Sequence, residues 1–121
     1  MPIKRVMVVD DAEADRINLE QIISDKGISV ISARNGKEAL QKACAERPDM
    51  IFLDILMPDM DGFETCRVLR DVEAMKDIPV VIVSSKSNKA DRIWAMEQGA
   101  TAYLTKPYTP ADIDGMLGRF H

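Results

Sequence analysis

The sequence predicts an α/β protein, a five-stranded parallel sheet with helices on both faces. Two observations lead there. Five short runs, Val6-Met7-Val8-Val9, Ile28-Ser29-Val30-Ile31, Met50-Ile51-Phe52-Leu53, Val80-Val81-Ile82-Val83 and Ala102-Tyr103-Leu104, are mostly unbroken apolar rather than alternating, as in strands covered on both sides. Each run is followed by a segment of helical periodicity, and a repeated β-α order implies parallel strands with helices packed on either face.

The elements follow in chain order. After the first run, Ala14, Ile17, Leu19, Ile22 and Ile23 mark a helix closed by Gly27 in the C′ position. Asn35-Gly36-Lys37-Glu38 has capping-box spacing and opens a second helix carrying Ala39, Leu40, Ala43 and Cys44, and Pro48 ends the connection. Asp61-Gly62 precedes a third helix built on Phe63, Cys66, Leu69 and Val72. A fourth is expected from about Ser87 to Gln98, stopping at Gly99. The fifth begins at Thr109-Pro110, a capping hydroxyl with proline in the first turn, and places Ile113, Met116, Leu117 and Phe120 on one face. Gly115 and Gly118 weaken it by about 1 kcal/mol each relative to alanine.

Composition narrows the function. The chain has 121 residues, 46% hydrophobic and 30% charged, the size and make-up of one globular domain. Residues 1–121 read as a single domain with no linker, repeat or output domain, and no apolar run approaches the ~20 residues that span a membrane. The Met1-Pro2-Ile3 start lacks a signal-peptide pattern, so a cytoplasmic protein is expected. A formal charge of −4 with scattered lysines and arginines argues against nucleic acid. Cys44 and Cys66 lack a CxxC partner and read as buried thiols, and the lone His121 sits at the terminus, which argues against histidine catalysis.

The ends of the strands carry the chemistry. The first ends in Asp10-Asp11, the third in Asp54, the fourth in Ser84-Ser85 and the fifth in Thr105-Lys106-Pro107. Parallel strands bring these ends to one edge, where ligands bind in open α/β sheets. Asp10, Asp11 and Asp54 repel one another unless a divalent cation lies among them, and all-oxygen ligation favours Mg²⁺ or Mn²⁺. With Lys106 as a fixed positive charge and Ser84 as a hydroxyl donor, the set suits phosphoryl transfer, which depends on positioning and charge neutralisation. Asp54 would be the nucleophile, attacking phosphorus to form an acyl phosphate. Asp59 and Asp61 read as turn and cap residues. "MPDMDG" mimics an EF-hand loop but has Met57 and Val68 where the first and last ligands belong.

The set VVDD, FLDILMPDMDG, VIVSS and AYLTKP resembles the receiver domain of two-component response regulators, the CheY-like family, from about Ile3 to Leu117. The resemblance implies a (βα)5 flavodoxin-like fold with Asp54 as phosphoacceptor. It implies Mg²⁺, with Mn²⁺ as a substitute, held by Asp11, by Asp54, by Asp10 largely through water and by the backbone carbonyl of Leu56. It assigns phosphoryl contact to Ser84 and Lys106, a switch to Ser84 and Tyr103, and a cis peptide to Lys106-Pro107. Ser84 stands where the family often has threonine. Leu56, two residues past the acceptor, cannot orient a hydrolytic water, which implies slow self-dephosphorylation; Lys86 is placed to oppose that effect. "DRIWAMEQGATAYLTKPYTPADI" further resembles the stand-alone receivers of type IV pilus twitching-motility systems, the PilG/PilH type. The implied partners are a chemosensory histidine kinase and a protein effector on the face of the fourth helix, fifth strand and fifth helix. The expected state is a monomer or a weak, phosphorylation-linked dimer.

On this reading the protein is not an enzyme beyond its own phosphorylation and dephosphorylation. Two other classes compete. An Mg²⁺-dependent phosphohydrolase would show an acid where Leu56 stands and a cap over its substrate. A phosphate-independent docking module would keep the pocket as a vestige. Trp94 is expected at the edge of the core rather than as a partner anchor.

Overall fold

The computed structural model describes residues 3–57, 60–86 and 88–120. Strands β1 (Arg5–Val9), β2 (Ser29–Ala33), β3 (Met50–Asp54), β4 (Val80–Ser84) and β5 (Ala102–Thr105) alternate with helices α1 (Glu13–Ser24), α2 (Gly36–Glu46), α3 (Gly62–Asp71), α4 (Lys89–Glu97) and α5 (Pro110–Arg119). Every strand pair is parallel and the order is β2-β1-β3-β4-β5, the flavodoxin-like arrangement the resemblance implies. The order reverses between β1 and β3, and the crevice beyond their carboxyl ends is where such sheets place ligands.

The period of two along each strand divides the core into two layers. Met7, Val9, Ile51, Leu53 and Ile82 face Ala39, Ala43, Cys66, Leu69 and Ala95, so α2, α3 and α4 cover one side. Val6, Val8, Phe52, Val81 and Val83 face Leu19, Ile23, Ile113 and Leu117, so α1 and α5 cover the other. The caps sit where the sequence suggests: Asn35, Asp61 and Asn88 accept from the third amide of α2, α3 and α4, and Thr109 with Asp112 forms a capping box on α5. Helix α4 is the least embedded, with Ala95 as its one buried residue.

At the amino ends of the strands, Arg70 ties several segments together. Its Nε donates to Gly99 O at 2.8 Å, its Nη1 to the carbonyls of Met75, Lys76 and Ile78, the last at 2.6 Å, and its Nη2 to Thr101 Oγ1 at 3.2 Å. Thr101 Oγ1 in turn accepts from Val80 N at 3.0 Å, which fixes the start of β4. Gly99 has φ +97° and lies against Arg70, where a Cβ would come within 2.6 Å of the Arg70 Cγ.

Four local expectations need correction. Cys44 is exposed, not buried, because α2 buries the stripe Gly36, Ala39, Ala43 and the next residue is turned about 100° away. Ile17 is exposed for the same reason: α1 buries Arg16, Leu19 and Ile23, an arginine taking the place the apolar pattern gave to its neighbour. Ala14 also faces solvent. Gly27 adopts its positive φ of 78° two residues after the Asp25 cap rather than one. A 3₁₀ turn at Glu73–Met75, which buries Met75, carries no signal in the hydrophobic pattern. The expected turn role of Asp59 and the Ser87 start of the fourth helix lie outside the described residues, as do Met1, Pro2, Pro58 and His121.

Candidate functional site

Four of the five strands, β1, β3, β4 and β5, each deliver one part of the site. β1 runs directly into Asp10, which is buried; its Oδ1 accepts from Ala12 N at 2.9 Å and its carbonyl accepts from Arg16 Nη1 at 3.1 Å. Arg16 is thereby drawn inward, and this contact sets the rotational phase of α1. Asp54 is the last residue of β3 and also buried. Behind it Gly62 N donates to Ile55 O at 2.9 Å, and a Cβ on Gly62 would stand 2.2 Å from Asp54 O. The glycine of "DMDG" is thus a close approach of α3 to the end of β3, required by space rather than by φ.

Asp10, Asp11 and Asp54 each offer a carboxylate oxygen, and these oxygens lie within 4.8 Å of one another. Lys106, just past β5, reaches in from the other side, with Nζ 3.2 Å from Asp10 Oδ2 and 3.4 Å from Asp54 Oδ1. Burial, then the charge of Asp10, pushes the Asp54 carboxyl up to about 6 against the opposing pull of Lys106. For Lys106, burial works against the charge, yet Asp54, Asp15 and Asp10 together hold it well above the usual lysine range. Three carboxylates with one ammonium leave the crevice net negative, and their hard oxygen donors suit a small divalent cation. The residues present fit Mg²⁺.

The fourth strand supplies a hydroxyl. Ser84, buried at the end of β4, accepts at Oγ from Lys86 N at 3.1 Å. The half-buried Tyr103 on β5 donates its hydroxyl to Lys86 O at 2.8 Å, and the Arg92 guanidinium lies 5.0 Å over its ring. The backbone of one residue, Lys86, therefore touches both, through its N–H and its C=O. The Lys106-Pro107 bond is cis. Leu56, two residues past Asp54, is 57% exposed. Trp94 is 49% exposed and meets Phe63 edge-on, with centroids 6.5 Å apart.

The structure adds one residue that the strand-end argument missed. Asp15, in the first turn of α1, places Oδ2 3.1 Å from Lys106 Nζ. No sequence pattern marks it, since an acid in a first turn is favoured in any helix. An open cleft lined by Asp15, Asn18, Ser85, Lys106, Pro107 and Tyr108 adjoins this contact.

The response regulator receiver domain model matches residues 6–117. The chain belongs to that family. It is the receiver domain of a two-component response regulator, a family whose acidic aspartate cluster binds Mg²⁺. The transcriptional regulatory protein PhoP of Bacillus subtilis, named for alkaline phosphatase synthesis, is 38% identical over 114 residues, which are 94% of this chain and 47% of that protein. The chain thus spans about half the length of PhoP. PilG and PilH of Pseudomonas aeruginosa are 36% and 37% identical over 93% and 85% of this chain, and the matches cover 84% and 85% of those proteins. Among solved structures, the chemotaxis protein CheY4 of Vibrio cholerae superposes with a TM-score of 0.93 at 31% identity, covering 98% of this chain and 99% of that one. The receiver domain of the sensor histidine kinase PA1611 from P. aeruginosa, solved with a magnesium ion coordinated in its active site cleft, gives 0.90 at 25% identity, with 97% and 96% covered. No described helix is long and apolar enough to cross a membrane.

Proposed function

We propose that this receiver takes a phosphoryl group from a histidine kinase onto Asp54 and passes the signal to a protein effector through the α4-β5-α5 face. The observation that carries the reading is the convergence of Asp10, Asp11 and Asp54 within 4.8 Å, with Lys106 on two of them. Mg²⁺, or Mn²⁺ in its place, would be held by Asp10, Asp11, Asp54 and the Leu56 carbonyl. When bound, the cation supplies neutralisation of the phosphoryl oxygens and lowers the proton affinity of Asp54.

The chain's own residues do the rest. An ionised Asp54 oxygen bonds to phosphorus as the bond from phosphorus to the donor's leaving group breaks. Lys106, with Nζ 3.4 Å from Asp54 Oδ1, contacts the transferred group. Ser84 turns its hydroxyl toward a phosphoryl oxygen and relinquishes the Lys86 amide, so the loop carrying Lys86 shifts and Tyr103 follows its carbonyl. The effector reads a population shift rather than a new fold. Outside this self-directed chemistry no catalysis is assigned. Likeness to PilG and PilH fits a chemosensory, twitching-motility setting, and a cytoplasmic location is part of the same proposal.

The test is intact mass after incubation with acetyl phosphate and Mg²⁺. One phosphate adduct is expected, lost without metal and lost in Asp54→Asn. Labelling that survives in Asp54→Asn overturns the acceptor assignment. No adduct from acetyl phosphate or from any kinase favours the docking module.

A further inference from the structure

An ammonium group has three N–H bonds, and Lys106 Nζ has three carboxylates around it: Asp15 at 3.1 Å, Asp10 at 3.2 Å and Asp54 at 3.4 Å. Asp10 and Asp54 belong to the cluster that fits a divalent cation, and Asp15 does not. The first two are nearly enclosed, whereas the Asp15 side chain is 54% exposed. Lys106 therefore shares its inner partners with the cation site and keeps Asp15 as a partner of its own on the solvent side.

We propose that Asp15 is a positioning residue that sets the charge balance of the phosphoacceptor site. Holding Lys106 from outside, it draws the ammonium off Asp10 and Asp54, which favours a divalent cation there. Its own negative charge opposes an incoming phosphodonor dianion. The inference rests on the phosphoacceptor reading, but its cation half can be measured without phosphate. The two halves have opposite signs, because removing one negative charge weakens cation binding and helps anion approach. A general loosening of the site would damage both.

The experiment compares the wild-type protein with Asp15→Asn, which keeps the shape and removes the charge, and with Asp15→Glu, which keeps the charge. Glu13→Gln serves as a control, since Glu13 shares the first turn of α1 and makes no ion pair with Lys106. Calorimetry of Mg²⁺ binding to the unphosphorylated protein gives the first readout. Initial phosphorylation rates at saturating Mg²⁺ give the second, with acetyl phosphate (a dianion near neutral pH, releasing acetate with the electron pair as the Asp54 O–P bond forms) and with phosphoramidate (a net monoanion, releasing ammonia).

In Asp15→Asn at low ionic strength, Mg²⁺ affinity should fall roughly two- to fivefold and the acetyl phosphate rate should rise by a similar factor, the range an ion pair with one half-exposed partner commands. The phosphoramidate rate should rise less, salt should shrink all three effects, and Asp15→Glu should behave as wild type. A fall in both affinity and rate, no change in either, or the same changes in Glu13→Gln would overturn the proposal. Failure of the wild type to take phosphate from any donor would overturn the acceptor reading instead, and the Mg²⁺ comparison would still decide whether Asp15 governs the cation.

Discussion

The two edges of the sheet use charge in opposite ways. At the amino edge, one guanidinium meets five oxygens: four carbonyls and the Thr101 hydroxyl. Its hydrogen-bonding capacity is spent on the protein itself, and the result is a lock across α3, the 3₁₀ turn, the start of β4 and the loop before β5. At the carboxyl edge, one ammonium stands among three carboxylates, and a buried Asp54 is left with its proton affinity raised. Nothing there is closed. An edge that satisfies its own charges stabilises the fold; an edge that leaves negative charge in excess keeps free energy in reserve for a cation and a phosphoryl group.

Breaking the lock should therefore cost stability without touching chemistry. Arg70→Ala removes a charged donor from several partly buried carbonyls and should destabilise the protein by about 2–4 kcal/mol. Acetyl phosphate labelling of the folded fraction should stay close to wild type. Denaturant melts paired with intact mass check both halves, and loss of labelling in still-folded protein would refute the separation of the edges.

Gly62→Ala sits on the other side of the comparison. The added Cβ meets backbone, Asp54 O at 2.2 Å, which cannot swing aside as a side-chain end can. A smaller loss of about 1–3 kcal/mol is expected, accompanied by slower labelling because the end of β3 carries the nucleophile. Equal labelling rates in Gly62→Ala and wild type would mean that Asp54 tolerates a displaced strand end.

The open edge also predicts a pH dependence of unusual sign. The folded Asp54 carboxyl lies near 6 and its ordinary value is 3.8. Between those values the folded state binds the proton more readily than the unfolded chain, so metal-free stability should rise as pH falls from 7 to 5. The gain is about 1–2 kcal/mol, since the crevice is open to water on one side. Glu38, held below its ordinary value first by its hydrogen bond to Lys42, loses its contribution only at lower pH and leaves this window clear. Asp54→Asn should be flat over the same range, and saturating Mg²⁺ should remove the slope in the wild type. A metal-free protein that weakens between pH 7 and 5 would show that the reserve is not at Asp54.

Strands and strand ends were legible because each is a local signal: an unbroken apolar run, then a polar residue out of place. Asp10, Asp11, Asp54, Ser84 and Lys106 needed only the rule that parallel strands end together. Asp15 was not legible, because an acid in a first turn is what any helix favours and its distance to Lys106 exists only after 91 residues of chain have folded back. The same holds for Arg70, an ordinary charged residue at the end of α3 until the 3₁₀ turn and the loop before β5 bring their carbonyls to it. Helix phase fell between these cases. Hydrophobic period located α1 but placed Ile17 inward, and it took the Arg16–Asp10 contact to turn the helix one residue round.

The smallest effect on stability, and the finest division of the two edges, belongs to Leu56. At 57% exposure its side chain contributes little to the core, so Leu56→Asn should melt within about 0.5 kcal/mol of wild type. Its position two residues past Asp54 gives it a different lever. An amide there can hold a water near the phosphoryl group where a leucine cannot, and the aspartyl phosphate should decay several-fold faster. The time course of the phosphate adduct by intact mass reads this directly. A decay rate unchanged in Leu56→Asn but altered in Lys86→Ala would move control of the lifetime from the end of β3 to the end of β4. The clock would then lie on the same residue whose backbone N–H and C=O join Ser84 to Tyr103, and signal duration and signal output would share one loop.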